Sequence, residues 1–330
     1  MDKIKYGVIG VGALGRHHAR WAGQISIFDF QGIYDIDNTR MEELSREIGC
    51  RAFTGVDELI KNCDAVSVAA TTSNHYEIAL KVIAQKKHLL IEKPIAATIE
   101  QADEIIKCAE AAGVKLMVGH IERFNPAVAK LCDFDIRPSF IEAHRLAKFN
   151  PRGADVAVVL DLMIHDIDLS LYFIKSPIKD ISASAVRVVS DSEDIANARL
   201  TFENGSVANL TASRISLQAM RKLRIFQTSG YFSLDLSEKQ VDIYRMVDPA
   251  TSSGDLTIPL GDSGKNIGYR QIGDKKIDML EAELKSFGES IIKDAPVAVS
   301  GREGRDALAV ALDVIAKSRI GAEKMKANER

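Results

Sequence analysis

The segment Gly10-Val11-Gly12-Ala13-Leu14-Gly15 constrains the fold more than any other part of this chain. It follows a short apolar segment, Ile4–Ile9, and opens a helical segment that extends to about Ala22. In a strand–loop–helix unit, the first glycine permits a tight turn, the second lets a pyrophosphate approach the backbone, and the third lets helix and strand pack closely. The start of the helix adds N–H donors and a positive dipole end. The pattern predicts a dinucleotide-binding loop, and a merely flexible loop is the alternative.

Asp35 lies 20 residues after Gly15, at the end of the second predicted strand, Phe28–Tyr34. A carboxylate at this place can accept both hydroxyls of an adenine ribose and repels a 2′-phosphate, which favours NAD. Arg40 in the next predicted helix could bind such a phosphate, so use of NADP stays possible. If the loop were merely flexible, Asp35 would be an ordinary helix-capping residue.

Short apolar segments alternate with helical segments through the first third of the chain. The predicted strands are Ile4–Ile9, Phe28–Tyr34, Ala65–Ala70, His88–Ile91 and Val114–Val118. The helices between them are predicted up to about Ala22 and over Asn38–Ile48, His75–Gln85 and Thr98–Ala112. This alternation with short connections predicts an α/β domain with a doubly wound parallel sheet of the Rossmann type.

The pattern changes after Gly119. Strand-like segments between residues 140 and 246, with an Asn204-Gly205 hairpin signal, predict a second α/β domain with a large open, mostly antiparallel sheet. A long apolar helix is predicted over Asp155–Ile174 and a long loop over Pro249–Asp274. Closing helices are predicted over about Ile277–Lys293 and Arg302–Ile320, before a solvated tail, Ala322–Arg330. Because 330 residues correspond to about two domains, we expect a cofactor-binding domain over 1–122 and a substrate-binding and oligomerisation domain over 123–330.

The charge balance excludes several classes of partner. The 43 basic and 46 acidic side chains give a net charge of −3, which excludes a generic basic surface for nucleic acid. No apolar run approaches the ~18 residues of a membrane span, and the segment Met1–Lys5 lacks the architecture of a signal peptide. We therefore expect a cytoplasmic protein with neither nucleic-acid nor membrane partners.

Glu92-Lys93-Pro94 follows the predicted strand His88–Ile91, at the carboxyl end of a parallel strand. Ligands bind at this edge of open α/β sheets. A lysine beside a glutamate is usually a solvated charge, whereas a lysine held at this edge by a rigid proline can reach a substrate oxygen. We interpret Lys93 as a candidate functional residue.

Asp161, His165 and Asp168 lie at positions i, i+4 and i+7 of the long apolar helix and would share one of its faces. Charged groups on a buried helix are costly unless they are paired or functional. The imidazole is suited to general-base catalysis near neutral pH, and a neighbouring carboxylate can fix its tautomer. Two alternatives remain. One is a metal site, although no third and fourth ligand has an obvious spacing, and the other is a structural cluster.

With these residues in hand, nearly the full length of the chain resembles the glucose–fructose oxidoreductase / inositol dehydrogenase (Gfo/Idh/MocA) family. The residues that carry the resemblance are Gly10–Gly15, His18-Ala19, Asp64-Ala65-Val66, Asn74-His75-Tyr76, Glu92-Lys93-Pro94, Val118-Gly119-His120, Arg123-Phe124-Asn125-Pro126 and Asp161-x-x-x-His165. One departure is Thr71-Thr72-Ser73-Asn74, where many members carry a proline.

The resemblance implies a Rossmann domain, a nicotinamide cofactor, and oxidation or reduction of a carbinol on a sugar-like ring. It also implies a homodimer or homotetramer formed through the C-terminal sheet, and it favours a cis Lys93–Pro94 bond. By position, Lys93 would bind the reacting hydroxyl, Asp161 would be its carboxylate partner, and His165 would be the general base. We expect no resident metal.

Two further sets of residues complete the expected site. The residues expected to contact the cofactor are Gly10, Gly12, Ala13, Leu14, Gly15, Asp35, Arg40, Thr71, Asn74, His75, Glu92 and Lys93. The residues expected to contact the substrate are Arg123, Asn125, Asn150, Arg152, Asp155, Asp168 and Arg214.

Within this family, Gly119–Pro126 and Thr211–Arg214 resemble the UDP-N-acetylglucosamine 3-dehydrogenases. A basic segment, Arg221-Lys222-Leu223-Arg224, follows, and arginine suits a nucleotide diphosphate. The alternative interpretation of these charges is a protected, solvated strand edge. We therefore expect NAD-dependent oxidation of the 3-hydroxyl of UDP-N-acetylglucosamine. A free cyclitol or hexose is the alternative substrate, and a non-catalytic dinucleotide-binding regulator is the alternative of another class.

Overall fold

The computed structural model describes residues 3–150, 156–247 and 256–328, and the chain divides into two compact units. Unit 1 consists of Met1–Phe124 and Asp278–Leu308, and unit 2 consists of Asn125–Ile277 and Ala309–Arg330. Unit 1 is therefore assembled from two separate stretches of the sequence. The proposed division of roles between residues 1–122 and 123–330 stays a prediction.

The first stretch of unit 1 is an alternating α/β sequence. Its elements are β1 (Ile4–Ile9), α1 (Gly15–Ala22), β2 (Phe28–Tyr34), α2 (Asn38–Ile48), α3 (Val56–Asn62), β3 (Ala65–Val68), α4 (Thr72–Ala84), β4 (His88–Glu92), α5 (Ile99–Ala112), β5 (Leu116–Gly119) and a 3₁₀ helix (Ile121–Phe124). The strands form a five-stranded parallel sheet in the order β2-β1-β3-β4-β5. The predicted doubly wound sheet is confirmed, and α3 is a helix that the sequence analysis did not identify.

Unit 2 is built around a large sheet. Its elements up to residue 273 are α6 (Pro126–Ala129), a 3₁₀ helix (Lys130–Asp133), β6 (Phe140–Leu146), a π-helix (Val159–Met163), α7 (Ile164–Ile174), β7 (Ile178–Val186), β8 (Ile195–Phe202), β9 (Val207–Ser213), β10 (Met220–Gln227), β11 (Gly230–Asp235), β12 (Gln240–Val247), β13 (Leu256–Pro259), a 3₁₀ helix (Gly261–Ser263) and β14 (Asn266–Gly273). The nine strands have the order β13-β14-β12-β11-β10-β6-β9-β8-β7. Only the β6–β9 pair among them is parallel, which confirms a mostly antiparallel sheet.

The prediction of a long loop over Pro249–Asp274 is wrong for residues 256–273, and residues 249–255 lie outside the described part of the chain. β13 and β14 pair with each other, and β14 pairs along its whole length with β12. Gly261 and Gly264, at φ +49° and +68°, are left-handed residues in the connection between β13 and β14. These two glycines mark one turn, while pairing with the sheet satisfies the backbone of the flanking strands.

Two helices follow the sheet in sequence, α8 (Met279–Ile292) and α9 (Gly301–Asn328). α9 continues beyond the predicted end near Ile320, into the predicted tail. Within unit 1, Phe287 of α8 packs edge-to-face against Tyr6 of β1, which in turn stacks on Phe28 of β2. No helix in the described ranges is long and apolar enough to cross a membrane.

Candidate active site

The Gly-rich loop between β1 and α1 has the backbone geometry that a close anion requires. Gly10 has φ +84°, and a Cβ there would lie 2.6 Å from the backbone nitrogen of Ala70. A Cβ on Gly15 would lie 1.8 Å from the carbonyl oxygen of Gly10. The start of α1 can therefore pack this closely against the loop only because residue 15 is a glycine. A Cβ on Gly12 would meet no atom within 4 Å. The space over Gly12 is therefore open, at the N-terminus of α1, where a pyrophosphate is favoured.

Asp35 at the end of β2 is joined to this loop. Its carboxylate accepts the backbone N–H of Val11 at 2.6 Å and that of Asp37 at 2.9 Å. The helix cap of α2 is Asp37, whose side chain accepts the N–H of Arg40 at 3.0 Å. Asp35 is therefore not the cap. The guanidinium of Arg40 lies 3.1 Å from Asp37 and 3.7 Å from Asp35, and the two carboxylates oppose its use as a phosphate ligand.

A cleft of about 270 Å³ runs over the loop and past Asp35. Its lining is Ile9, Gly10, Gly12, Ala13, Tyr34, Asp35, Ile36, Arg40, Ala69, Ala70, Thr71, Asn74 and Ile78. Thr71 precedes α4, and Asn74 donates to its hydroxyl at 3.0 Å, so both side chains are set at the rim of the cleft. NAD fits a site of this kind, which combines an open glycine loop, a carboxylate at the end of β2 and a helix N-terminus. The cleft brings together most of the residues predicted to contact the cofactor.

His75 of α4 is buried and has carbonyl oxygens on both sides of its ring. Nδ1 lies 2.9 Å from the carbonyl oxygen of Pro94 and Nε2 lies 3.1 Å from that of Ala70. Burial lowers the pKa of His75 below its ordinary value, while these two carbonyl contacts oppose the shift. The ring thus ties the segment after β3 to the segment after β4. The assigned cofactor contact of His75 stays a prediction.

Lys93 follows β4 directly, at the carboxyl edge of the parallel sheet. The Lys93–Pro94 bond is cis, which confirms the expectation from the family resemblance. The backbone N–H of Lys93 donates to Oε2 of Glu92 at 3.2 Å. Glu92 also lies 2.9 Å from Nε2 of His18, so the residue before Lys93 is held by α1.

A buried polar cluster lies at this strand end. Its member Glu92 is an expected cofactor contact, whereas His18 and Glu283 had no predicted role. The cluster consists of the buried side chains of His18, Glu92 and Glu283. One ring nitrogen of His18 and one carboxylate oxygen of each glutamate lie within 4.8 Å of one another. The sequence does contain a sign that Glu283 is buried. It shares the apolar face of α8 with Leu280, Leu284 and Phe287. A carboxylic acid on an apolar helix face is costly unless it has a role.

In unit 2, Asp161 lies in the π-helical turn Val159–Met163, and His165 and Asp168 lie in α7. The expected α-helical spacing from Asp161 to His165 is therefore wrong, because one turn is wider than an α-helical turn. Such wide turns are frequent at functional sites. Asp161 and His165 are half-buried, and Asp168 is buried.

α7 also carries a structural ion pair. Asp166 binds Arg145 of β6 with two hydrogen bonds, at 2.8 and 3.0 Å, and both side chains are buried. A bidentate pair of this kind fixes the rotation of α7 over the sheet. It therefore supports the orientation of the neighbouring His165.

Three predicted substrate residues have partners within their own units. The half-buried Arg123 lies 3.3 Å from Glu303, and Asn125 caps α6 and donates to the carbonyl oxygen of Leu236 at 2.9 Å. Arg214 is buried and donates to the carbonyl oxygens of Val156 and Glu193. Asn150 is exposed, whereas Arg152 and Asp155 lie outside the described residues. The substrate contacts of these six residues and of Asp168 stay predictions.

The basic residues of β10 do not form one cluster. Lys222 and Arg224 alternate with the buried Leu223 and Ile225 and lie on the opposite face of the sheet from them, whereas Arg221 falls on the same face as Leu223. Lys222 lies 3.8 Å from Asp235, and Arg224 lies 3.9 Å from Glu142. This arrangement favours the alternative interpretation of exposed charges on a strand.

Two family models match the chain. One, described as an oxidoreductase family with an NAD-binding Rossmann fold, matches residues 4–120. The other, described as the GFO/IDH/MocA C-terminal domain, matches residues 135–233.

Known proteins match over nearly the whole length. UDP-N-acetylglucosamine 3-dehydrogenase of Acidithiobacillus ferrooxidans is 38% identical over 320 residues, which cover 95% of this chain and 97% of that protein. Myo-inositol 2-dehydrogenase of Thermotoga maritima is 26% identical over 325 residues, covering 92% and 93%. A solved structure of the A. ferrooxidans enzyme has a TM-score of 0.87 and 37% identity, and the match covers 96% of this chain and 98% of that chain.

Proposed function

The chain belongs to the Gfo/Idh/MocA family of NAD-binding oxidoreductases, and from this premise we propose that it oxidises the 3-hydroxyl of UDP-N-acetylglucosamine to the 3-keto sugar. The observation that carries the substrate is the 38% identity, over 95% of the chain, to a protein named for that reaction. The enzyme class and the cofactor, a dehydrogenase that uses NAD, follow from the family itself.

Three side chains of this chain perform the proposed chemistry. NAD, when bound, accepts a hydride from the carbon that bears the hydroxyl. His165 takes the hydroxyl proton, which general-base catalysis requires as the carbonyl forms. Lys93 stabilises the developing negative charge on the oxygen, and Asp161 holds one of these two groups in place. The wide helical turn at Asp161 and the rigid segment at Lys93 support these roles.

In the cofactor site, the loop N–H groups and the N-terminus of α1 bind the pyrophosphate, and Asp35 binds the adenine ribose. The nucleotide of the substrate supplies binding energy far from the reacting carbon, and that energy positions the sugar ring. A free sugar lacks this anchor.

The test is the rate of NADH formation with a panel of substrates: UDP-N-acetylglucosamine, free N-acetylglucosamine, glucose and myo-inositol. We expect kcat/KM for the nucleotide sugar to exceed that for the free sugars by about 100-fold or more, because the remote contacts are lost in the free sugars. Equal turnover of myo-inositol or glucose would contradict the substrate assignment and would favour the free cyclitol or hexose as the substrate.

We also propose that the enzyme acts in the cytoplasm as a homo-oligomer formed through the sheet of unit 2. Aromatic side chains lie in register across five adjacent strands of that sheet; they are Phe140, Phe226, Tyr231, Tyr244 and Tyr269. The first four stack pairwise at 4.3 to 5.6 Å, and all five retain exposed surface. A contiguous aromatic row of this kind is typical of interfaces. Light scattering tests the proposal, and a monomer at all concentrations would contradict it.

A further inference from the structure

In the cluster of His18, Glu92 and Glu283, the hydrogen bonds given by the described residues involve His18 and Glu92 but leave Glu283 without a partner. The three residues come from α1, β4 and α8, all in unit 1. His18 Nε2 lies 2.9 Å from Glu92 Oε1. Neither oxygen of Glu283 has a hydrogen-bond partner within the described residues, and the side chain is 0% exposed. A buried carboxyl without partners requires an explanation.

A hydrogen-bond chain leads from Tyr6 through Ser67 and His18 to Glu92. The Tyr6 hydroxyl lies 2.6 Å from the Ser67 hydroxyl, which lies 3.1 Å from Nδ1 of His18. If Tyr6 donates to Ser67 and Ser67 donates to Nδ1, then Nε2–H of a neutral His18 donates to Glu92. The second oxygen of Glu92 accepts the N–H of Lys93. With these donors every polar atom of the chain has a partner, and both oxygens of Glu92 act as acceptors.

A second negative charge beside Glu92 would be unfavourable. Burial raises the pKa of Glu283 well above its ordinary value, and the charge of Glu92 raises it further. Tyr6 faces the same cluster, and burial likewise raises its pKa. Both pKa shifts favour the neutral forms of Glu283 and Tyr6, so a second negative charge beside Glu92 is disfavoured.

The packing leaves Glu92 little room to move. A Cβ on Gly119 of β5 would lie 2.9 Å from the carboxyl carbon of Glu92, so β5 encloses the side chain closely. A divalent ion is the alternative occupant. Two ligands of one tetrahedral zinc ion lie about 3.4 Å apart at ordinary bond lengths, whereas His18 and Glu92 are 2.9 Å apart and hydrogen-bonded to each other.

We propose that Glu283 is held as a neutral carboxylic acid and that, packed against the His18–Glu92 pair, it is a positioning residue for Lys93. The inference rests on the proposed function, which gives Lys93 the reacting hydroxyl. Loss of the Glu283 side chain would let Glu92 move and would displace Lys93. A glutamine at position 283, which has the same shape and no charge, would keep Glu92 and Lys93 in place.

The experiment uses the full-length enzyme with Glu283→Gln, Glu283→Ala and the matched control Glu289→Gln, an exposed glutamate of the same helix. The infrared difference spectrum of wild type minus Glu283→Gln at pH 8 should contain the band of one protonated carboxyl. Glu283→Gln should keep kcat within about twofold. Glu283→Ala should lose about tenfold or more in kcat, while the Kd for NAD changes less than about threefold. Glu289→Gln should leave all values unchanged.

Several results would overturn the inference. These are absence of the carboxyl band, an equal loss of kcat in the Gln and Ala variants, and unchanged kcat in Glu283→Ala. A divalent ion bound at about one per chain in wild type and lost in Glu283→Gln would also overturn it. If wild type oxidises none of the panel sugars, the proposed function fails and the positioning role fails with it. The infrared band then still decides whether Glu283 is neutral.

Discussion

The carboxylate of Asp35 accepts the backbone N–H of Val11 at 2.6 Å, which joins the end of β2 to the Gly-rich loop. Asp35 lines the cleft over this loop, and one of its oxygens holds the loop at Val11. We propose that the carboxylate also binds the hydroxyls of the adenine ribose. A side chain with both roles should affect affinity and cofactor choice together.

Asp35→Ser should weaken NAD binding by about tenfold or more, because the ribose contacts and the loop contact are lost together. Binding of NADP should weaken less, since the repulsion of a 2′-phosphate is also removed. Titration calorimetry with both cofactors measures this, with Asp37→Asn as the control that keeps the cap of α2. Tighter binding of NADP than of NAD by the wild type would show that Asp35 does not set the preference.

His165→Ala should lower kcat by about 10²–10⁴-fold, the usual contribution of a general base. NAD affinity should be unchanged, because His165 is not among the residues that line the cofactor cleft. Stopped-flow NADH formation and fluorescence titration give the two values. His144→Ala, an exposed histidine on β6, is the matched control. A comparable loss of NAD binding would identify His165 as a structural residue.

Arg214→Ala should destabilise the protein by about 1–3 kcal/mol, because the buried Arg214 donates to the carbonyl oxygens of Val156 and Glu193 and lies 3.7 Å from the buried carboxylate of Asp194. Urea unfolding measures the change, and Arg199→Ala on the exposed face of β8 should cost far less. If stability is instead unchanged and KM for the nucleotide sugar rises, the original prediction of a substrate contact is correct.

Asp194 makes stability depend on pH. Burial opposes its ionisation, but the Ser190 hydroxyl and the N–H groups of Val188–Ser190 outweigh burial and hold the pKa of Asp194 well below its ordinary value. A lowered folded-state pKa gives stability that is complete above the unfolded value of about 3.9 and is lost as pH falls below it. Asp194→Asn should therefore be less stable than wild type at pH 7, and the difference should shrink below about pH 4. A constant difference from pH 7 to 3 would contradict this, and exposed Asp191→Asn is the control.

Much of the fold was predictable because local pattern and long-range structure agree. The glycine spacing and the apolar segments of β1 to β5 require a parallel sheet, and the alternating strands of unit 2 require a sheet with one buried face. The prediction of a loop over residues 256–273 was wrong because β14 is stabilised by pairing with β12 and β13 by pairing with β14. Local composition does not report such pairing.

The site was less predictable because its supporting contacts are distant in sequence. Glu92 meets His18 and Glu283 only through the fold, and Arg214 reaches Val156 across 58 positions. The basic segment after Arg214 was misleading as a cluster, since strand alternation divides it between two faces. The π-helical turn at Asp161 has no signal in the spacing of Asp161 and His165.

The most direct test of the account is the fate of the hydrogen at the sugar carbon that loses the hydride. UDP-N-acetylglucosamine with deuterium at C3 is incubated with the enzyme and NAD, and the reduced cofactor is examined by mass spectrometry. The account predicts that NADH gains one deuterium per turnover, because the hydride leaves C3 as the hydroxyl proton passes to His165. Unlabelled NADH formed during turnover would contradict oxidation at C3 and, with it, the proposed reaction.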